Sequence, residues 1–318
     1  MHPIITLVVQ RLALGLLLLL AVSAVIFLGV EMLPGDTAQA ILGQSATPRA
    51  LENLRAEMGL DQPALTRYFN WLGGIMTGDL GTSLTNKSDI AKDIGQRLGN
   101  TLFLAFWAAV ISVPLAILLG LIAARYNGRW PDKLISGVTL STISLPEFVV
   151  GYIVLYFLAV KWQLFPSVAM VFPGMSVLER LNAVILPVIV LVLVVLAHMM
   201  RMTRAAILNV MQSAYIETAE LKGLSPMTVI WKHAFPNAIA PVVNVVMLNL
   251  AYLVVGVVVV EVVFVYPGMG QYLVDHVTKR DLPVVQAVGL IFAAVYIGLN
   301  ILADVISILA NPRLRHPK

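Results

Sequence analysis

Thr101–Ala124 reads TLFLAFWAAVISVPLAILLGLIAA and holds no charged side chain. A bilayer core about 30 Å thick takes roughly 20 helical residues to cross, so this run is long enough to span it. Working outward, five more stretches share its length and character: Leu12–Val30, Leu134–Val160, Ala183–Met200, Ala238–Val265 and Leu282–Ala310. The run Val254–Val260 would favour a strand in water. Inside a long apolar segment it reads as helix, because only helices and closed barrels satisfy the backbone in lipid. Of the 318 residues 59% are hydrophobic and 12% charged, with a mean hydropathy of +0.89. Soluble domains are roughly 45–50% apolar and about 25% charged. The expectation is an all-α integral membrane protein with six transmembrane helices.

Charge excludes some functions and orients the chain. A formal charge of +4 without a basic stripe does not suit a nucleic-acid binder. No cysteine is present, so disulfides, thiol chemistry and cysteine metal sites are out. The first helix is too long for a signal peptide and lacks a small-residue cleavage site, so it reads as retained. Arg11, Arg125, Arg129, Lys133, Arg201, Arg204, Lys222, Lys232, Arg313, Arg315 and Lys318 fall on one side, 11 of 21 Lys and Arg. The short loops opposite carry only Lys161, Arg180, Lys279 and Arg280. By the positive-inside rule both termini are cytoplasmic.

The long outer loop Glu31–Asn100 reads as ordered. Thr47-Pro48 can cap a helix whose Leu51, Leu54 and Met58 share a face, with Gly59 as its stop. Asp61-Gln62-Pro63 opens a second helix with Leu65, Tyr68, Phe69, Leu72 and Met76 at helical spacing. Gly78-Asp79-Leu80-Gly81 is a turn, and Ile90, Ile94 and Leu98 form a third apolar stripe.

The cytoplasmic loop Arg201–Phe235 reads as a hairpin of two short helices. In Tyr215–Lys222 the acids come early and Lys222 sits in the last turn, as the helix dipole prefers. Gly223 is the left-handed stop. Ser225 and Pro226 are the N-cap and first turn of the second helix, which ends at Lys232-His233 before Pro236 introduces the fifth span. Capping chemistry alone names no partner.

Glu217-Thr218-Ala219, then three residues, Gly223, nine more, and His233-Ala234-Phe235-Pro236 resembles the EAA loop of ABC importer permeases. Thr218 stands where Ala is usual and His233 where Ile is common. Leu33-Pro34-Gly35-Asp36, Gly59-Leu60-Asp61-Gln62-Pro63, Gly78–Ser83, and Glu261–Phe264 followed by Tyr266-Pro267-Gly268-Met269-Gly270 resemble the dipeptide/oligopeptide/nickel permeases. The resemblance runs from about Leu12 to Arg315, with Asn311-Pro312-Arg313 in place of the usual Asp-Pro-Arg. It implies a type-1 importer (MetI-like) permease fold, with a first helix in 1–30 and an extracytoplasmic helical loop in 31–96. A transporter domain at 97–310 with its coupling hairpin at 211–236, and a tail at 311–318, complete the layout. It also implies that Glu217, Ala219, Gly223, Ser225 and Pro236 couple to an ATPase. The implied partners are a second permease forming a heterodimer, two ATPase subunits, an extracytoplasmic solute-binding protein and the lipid membrane. No cofactor is implied.

The chain lacks a phosphate-binding Gly-x4-Gly-Lys-Ser/Thr loop and a His-Glu-x-x-His motif, so neither ATP hydrolysis nor zinc chemistry is expected of it. Charges inside spans cost at least about 2.5–3.5 kcal/mol, and each asks for a role. Pro146 and Glu147 mark a kink that could line a cavity. Glu261 is read as facing the pathway near its outer mouth, closing it or holding the turn that follows. Asp304 is read as pairing with a base or reaching for the membrane surface, and His198 as interfacial. The competing class is a proton-coupled secondary transporter using Glu147, Glu261 and Asp304 as a relay. It gives no reason for the Gly223 hairpin.

The charge bias yields a topology test. Reporter fusions at Asn127 and Lys318 should read cytoplasmic, and those at Gly73 and Val171 extracytoplasmic. A C-terminus outside the cell would overturn the six-span orientation.

Overall fold

In the computed structural model, residues 3–32 and 37–310 are described. Leu33-Pro34-Gly35-Asp36 and Asn311-Pro312-Arg313 lie outside them. In chain order the α-helices are α1 (Pro3–Glu31), α2 (Thr37–Leu42), α3 (Pro48–Glu57), α4 (Ala64–Met76), α5 (Ile90–Arg125), α6 (Trp130–Ser144) and α7 (Glu147–Leu155). Then follow α8 (Val177–Met211), α9 (Ala214–Leu221), α10 (Pro226–Thr228), α11 (Phe235–Val255), α12 (Val258–Val263), α13 (Met269–Thr278) and α14 (Leu282–Ala310). Among the described residues there is no strand, only one isolated bridge between Thr82 and Asp89. Among the described residues five helices are long and apolar enough to cross a membrane, and the bent pair α6–α7, taken as one broken span, brings the number to six.

Two spans are longer than their apolar runs suggest. Asp89 accepts the Lys92 amide and starts α5 at Ile90, so the stripe Ile90, Ile94, Leu98 is the N-terminal end of the second span. Ile90 and Ile94 are buried against Met269, Tyr272, Val284 and Val288. A capping box between Ser176 and Glu179 starts α8, which runs 35 residues to Met211. α5 and α8 pack together at small residues: a Cβ on Gly120 would lie 2.9 Å from Thr203 Cβ. Around this seam Leu104, Ala108, Leu191, Met199 and Met200 form the central core.

The third span, Leu134–Val160, bends where Pro146 marked a kink, and the bend is sharp. α6 and α7 meet at 103°. Leu145 takes an extended backbone (φ −95°, ψ 136°), as the residue before a proline prefers, and Pro146 follows. The fifth span differs from expectation. Pro236 does not separate it from the hairpin, because α10 passes through a π-helical turn, Val229–Ala234, straight into α11. A proline has no N–H to give, and a π turn lets the chain keep helical continuity beside it. Asp304 finds its base in Arg11 at 3.0 Å, joining α14 to α1.

On the loop side, two fully buried carboxylates tie the molecule together. Glu261, expected to face a pathway, has no exposed surface. Its Oε1 accepts the Thr101 hydroxyl at 2.6 Å, and its Oε2 accepts the amides of Gly270 at 2.7 Å and Gln271 at 3.1 Å. The first free N–H groups of α13 thus point at an anion, the arrangement a helix N-terminus favours. Thr101 Oγ1 also accepts the Met269 amide. Glycine is required here because the backbone comes so close: a Cβ on Gly268 would sit 2.0 Å from the carboxylate. Of the two roles read for Glu261 from the sequence, these bonds are those of a residue that holds the following turn. The carboxylate lies inside the subunit and holds the turn after α12.

That turn carries strain. Val265 is β-branched yet sits at φ +52°, a conformation that persists only where neighbours over-determine it. Tyr266, fully buried, donates its hydroxyl to Asn100 O, Asn100 donates to Pro267 O, and Ala169 N donates to Phe264 O. Beside it, Tyr272 donates to Asp93 while Arg97 stacks over its ring. Burial first, then the Asp93 charge, pushes the Tyr272 phenol above its ordinary range. The second carboxylate is Asp281, just before α14. It accepts from the hydroxyls of Ser83 and Thr85 and from the amides of Leu84 and Thr85.

The Glu261 clamp can be tested by substitution. Glu261→Gln retains an acceptor and should cost about 1–2 kcal/mol of stability; Glu261→Leu strands two buried amides at about 1–3 kcal/mol each and should cost clearly more. Thermal unfolding of the purified protein measures the order. A cysteine at 261 should stay unreactive to small polar thiol reagents in the folded protein. Equal stability of both variants, or ready labelling of the cysteine, would contradict the clamp.

Candidate functional site

The hairpin after α8 is a small folded unit with its own core. Ser213 turns the chain, and α9 follows with Glu217 in its first turn. Ile216 and Ala219 point inward and are buried with Val229, Ile230 and Ala234 of the π turn, Leu121 and Ala124 of α5, and Ile207 of α8. Ala219 is only 5% exposed, whereas Glu217 and Glu220 face out. α9 ends at Lys222, and Gly223 follows at φ +76°, where any side chain would be strained. Its amide bonds to Glu220 O, and the Leu224 amide to Ala219 O. Ser225 caps α10 by accepting the Thr228 amide. Tyr215 of α9 meets His233 Nδ1 at 2.6 Å and closes the hairpin across its base. Pro236 lies exposed in the first turn of α11.

Large apolar side chains stand uncovered on the hairpin among its exposed charges, Glu217, Glu220, Lys222 and Lys232. Leu221 is 83% exposed, and Met227, Trp231 and Tyr215 stand out beside it. Charge bias places this tip on the same side as a firm anchor: Arg204 of α8 grips Asp132 of α6 with two bonds, at 2.7 and 2.8 Å, and Asn127 with a third. Asp132 also accepts the Gly128 amide, so the loop before α6 is locked to the helix that leads into the hairpin. The sequence reading counted Arg204 only as a topology charge. An acid four residues after a left-handed glycine was the available signal for its partner.

The other candidates gather at the bend. Glu147 stands in the first turn of α7, directly after Pro146, and its Oε2 accepts the Tyr252 hydroxyl of α11 at 3.1 Å. Its Oε1 has no partner. Tyr252 also lines a groove of about 420 Å³ between α8, α11 and α14, together with His198, Asn249 and Tyr296. Glu147 is thus bonded to one residue of that groove, whereas Glu261 belongs to the clamp. Tyr252 and Asn249 escaped the sequence reading, since single polar residues on an apolar helix do not announce which face they share. Among the described residues no three His, Asp or Glu side chains are grouped to hold a metal ion.

Comparison with known proteins matches this architecture. The family described as binding-protein-dependent transport system inner membrane component matches residues 116–316, and the N-terminal family of the same membrane components matches residues 4–105. A putative peptide transport system permease protein of Brucella abortus is 36% identical over 310 residues, covering 98% of this chain and 99% of the relative. The glutathione transport system permease protein GsiC of Escherichia coli K12 is 37% identical over 310 residues, covering 97% and 98%. Six spans, an all-helical architecture and these matches over nearly the whole length lead to one assignment. The chain belongs to the inner membrane components of binding-protein-dependent transport systems, the permease subunits of ABC importers.

Proposed function

We propose that this permease forms half of the solute pathway of an importer for peptides or closely related small polar solutes, and that the hairpin 211–236 is its contact with an ATPase subunit. The hairpin carries the reading: a well-ordered cytoplasmic unit with its own core ends in an exposed apolar tip around Leu221 and Met227. Such a tip in water would be a liability, and it suits a groove on a partner. The relatives named for peptide and glutathione transport support the substrate class, since glutathione is itself a tripeptide. The inferred assembly holds a second permease, two ATPases that hydrolyse ATP, and an extracytoplasmic binding protein, with both termini of this chain in the cytoplasm. A proton-coupled carrier is the weaker reading. Of its three relay carboxylates, Glu261 is bound in the clamp and Asp304 is paired with Arg11.

Gly223 tests the contact. Nothing lies within 4 Å of a Cβ built there, so substitution strains only the backbone, by about 1–2 kcal/mol. Gly223→Leu should leave the protein inserted but depress substrate-stimulated ATP hydrolysis or ATPase co-purification several-fold. Gly223→Asn, which tolerates the left-handed conformation, should retain more of both. Wild-type values for Gly223→Leu would remove the hairpin from coupling.

A further inference from the structure

We propose that α4 of the outer loop rests in the membrane, with its exposed apolar stripe covered by lipid of the adjacent leaflet. The sequence places Leu65, Tyr68, Phe69, Leu72 and Met76 on a helix as if they formed one face. In the fold they divide. Tyr68 and Trp71 turn to α1, where both rings pack on Phe27 and the Tyr68 hydroxyl bonds to Ser23 at 2.8 Å. Leu65, Phe69 and Met76 turn away and are 72%, 63% and 82% exposed.

The contacts with α1 fix the depth of α4. The apolar run of α1 ends at Val30, and Glu31, the first charge beyond it, pairs with Arg67 of α4. Ser23 lies eight residues further in, about 12 Å along a helix rising 1.5 Å per residue. That is longer than a tyrosine side chain can reach from above the surface. The backbone of α4 at Tyr68 therefore lies below the level of Glu31, beside the outermost turns of the first span.

Charge agrees with that depth. The single charged residue in Ala64–Met76 is Arg67, and it faces α1. The opposite face presents only apolar and small uncharged groups. On α1, a helix that spans the bilayer, Val25 is 68% and Leu28 54% exposed as well. A helix with an apolar face and a paired charge at its back has the pattern of a segment buried at the boundary between headgroups and acyl chains. Lipid is the occupant that this depth and this uncharged face select, ahead of a binding protein, which would approach from water.

The absence of native cysteine makes the test direct. Nitroxide labels at Leu65→Cys, Phe69→Cys and Met76→Cys, and at Thr66→Cys on the flank, would be read in the assembled transporter in phosphatidylethanolamine–phosphatidylglycerol vesicles. The ratio of collisions with oxygen to collisions with a water-soluble nickel chelate should be several-fold higher at 65, 69 and 76 than at 66. Free access of the chelate to the three sites would place the stripe in water, and shielding from both reagents would place it under protein; either result overturns the proposal. A check without substitution is a photoreactive phospholipid with its diazirine near the glycerol backbone. It should leave adducts on α4 of the wild-type complex, and adducts confined to the spans would also overturn it.

Discussion

In the bilayer core an unpaired backbone amide or carbonyl costs several kcal/mol, so each break in a spanning helix needs a local answer. The same demand holds in the buried turn that follows the fifth span, between α12 and α13, where the chain turns over five residues with Val265 at a positive φ. Every side chain that answers it comes from near the break or from the α5 end of the sheltered core. Glu261 takes the first amides of α13, Thr101 takes the Met269 amide, and Asn100 binds Pro267 O while receiving the Tyr266 hydroxyl. A carboxylate in this position would be expensive alone. Satisfied by one hydroxyl and two amides, it becomes the fixed point around which α5, α12 and α13 meet.

The hairpin end is built differently. Its fixed point is an ion pair, Arg204 with Asp132, and its moving part would be the hairpin. The hairpin shares one core with α5, α8 and α11, and α10 runs into α11 through the π turn without a joint. Displacement at Gly223 would therefore be passed into α11 as a rigid element, toward Asn249 and Tyr252 and the Glu147 carboxylate that Tyr252 contacts. Between the two ends lies the bend at Leu145–Pro146. Thus the geometry links the proposed contact with the ATPase to the polar groove by one continuous helix.

Much of this was legible in the residues because hydropathy and capping are local. Apolar length found the spans, and Gly223-Leu224-Ser225-Pro226 wrote out a stop and a start. Asp304 asked for a base, and Arg11 answers it. What stayed hidden depends on partners far along the chain. A charge inside a span announces that it needs company, but whether Glu261 looks into a pathway or into the subunit depends on Thr101, some 160 residues away. Asp281 looked like an ordinary loop acid, because its four donors come from Ser83, Leu84 and Thr85. The proline at 146 signalled a kink without setting its angle, which packing against α8 and α12 decides. Periodicity put Tyr68 with Phe69 on α4, while only the contacts with Phe27 and Ser23 separate them.

The central claim is that the exposed tip of the hairpin is a protein contact rather than a solvated loop. Leu221→Cys in this cysteine-free chain reports on it, Leu221 being the most exposed of the large apolar side chains at that tip. The measurement is the rate of maleimide labelling from the cytoplasmic side, in inverted vesicles with and without the ATPase subunits. The account predicts labelling several-fold slower in the complete complex than in the permease alone. Equal rates in the two preparations would contradict it.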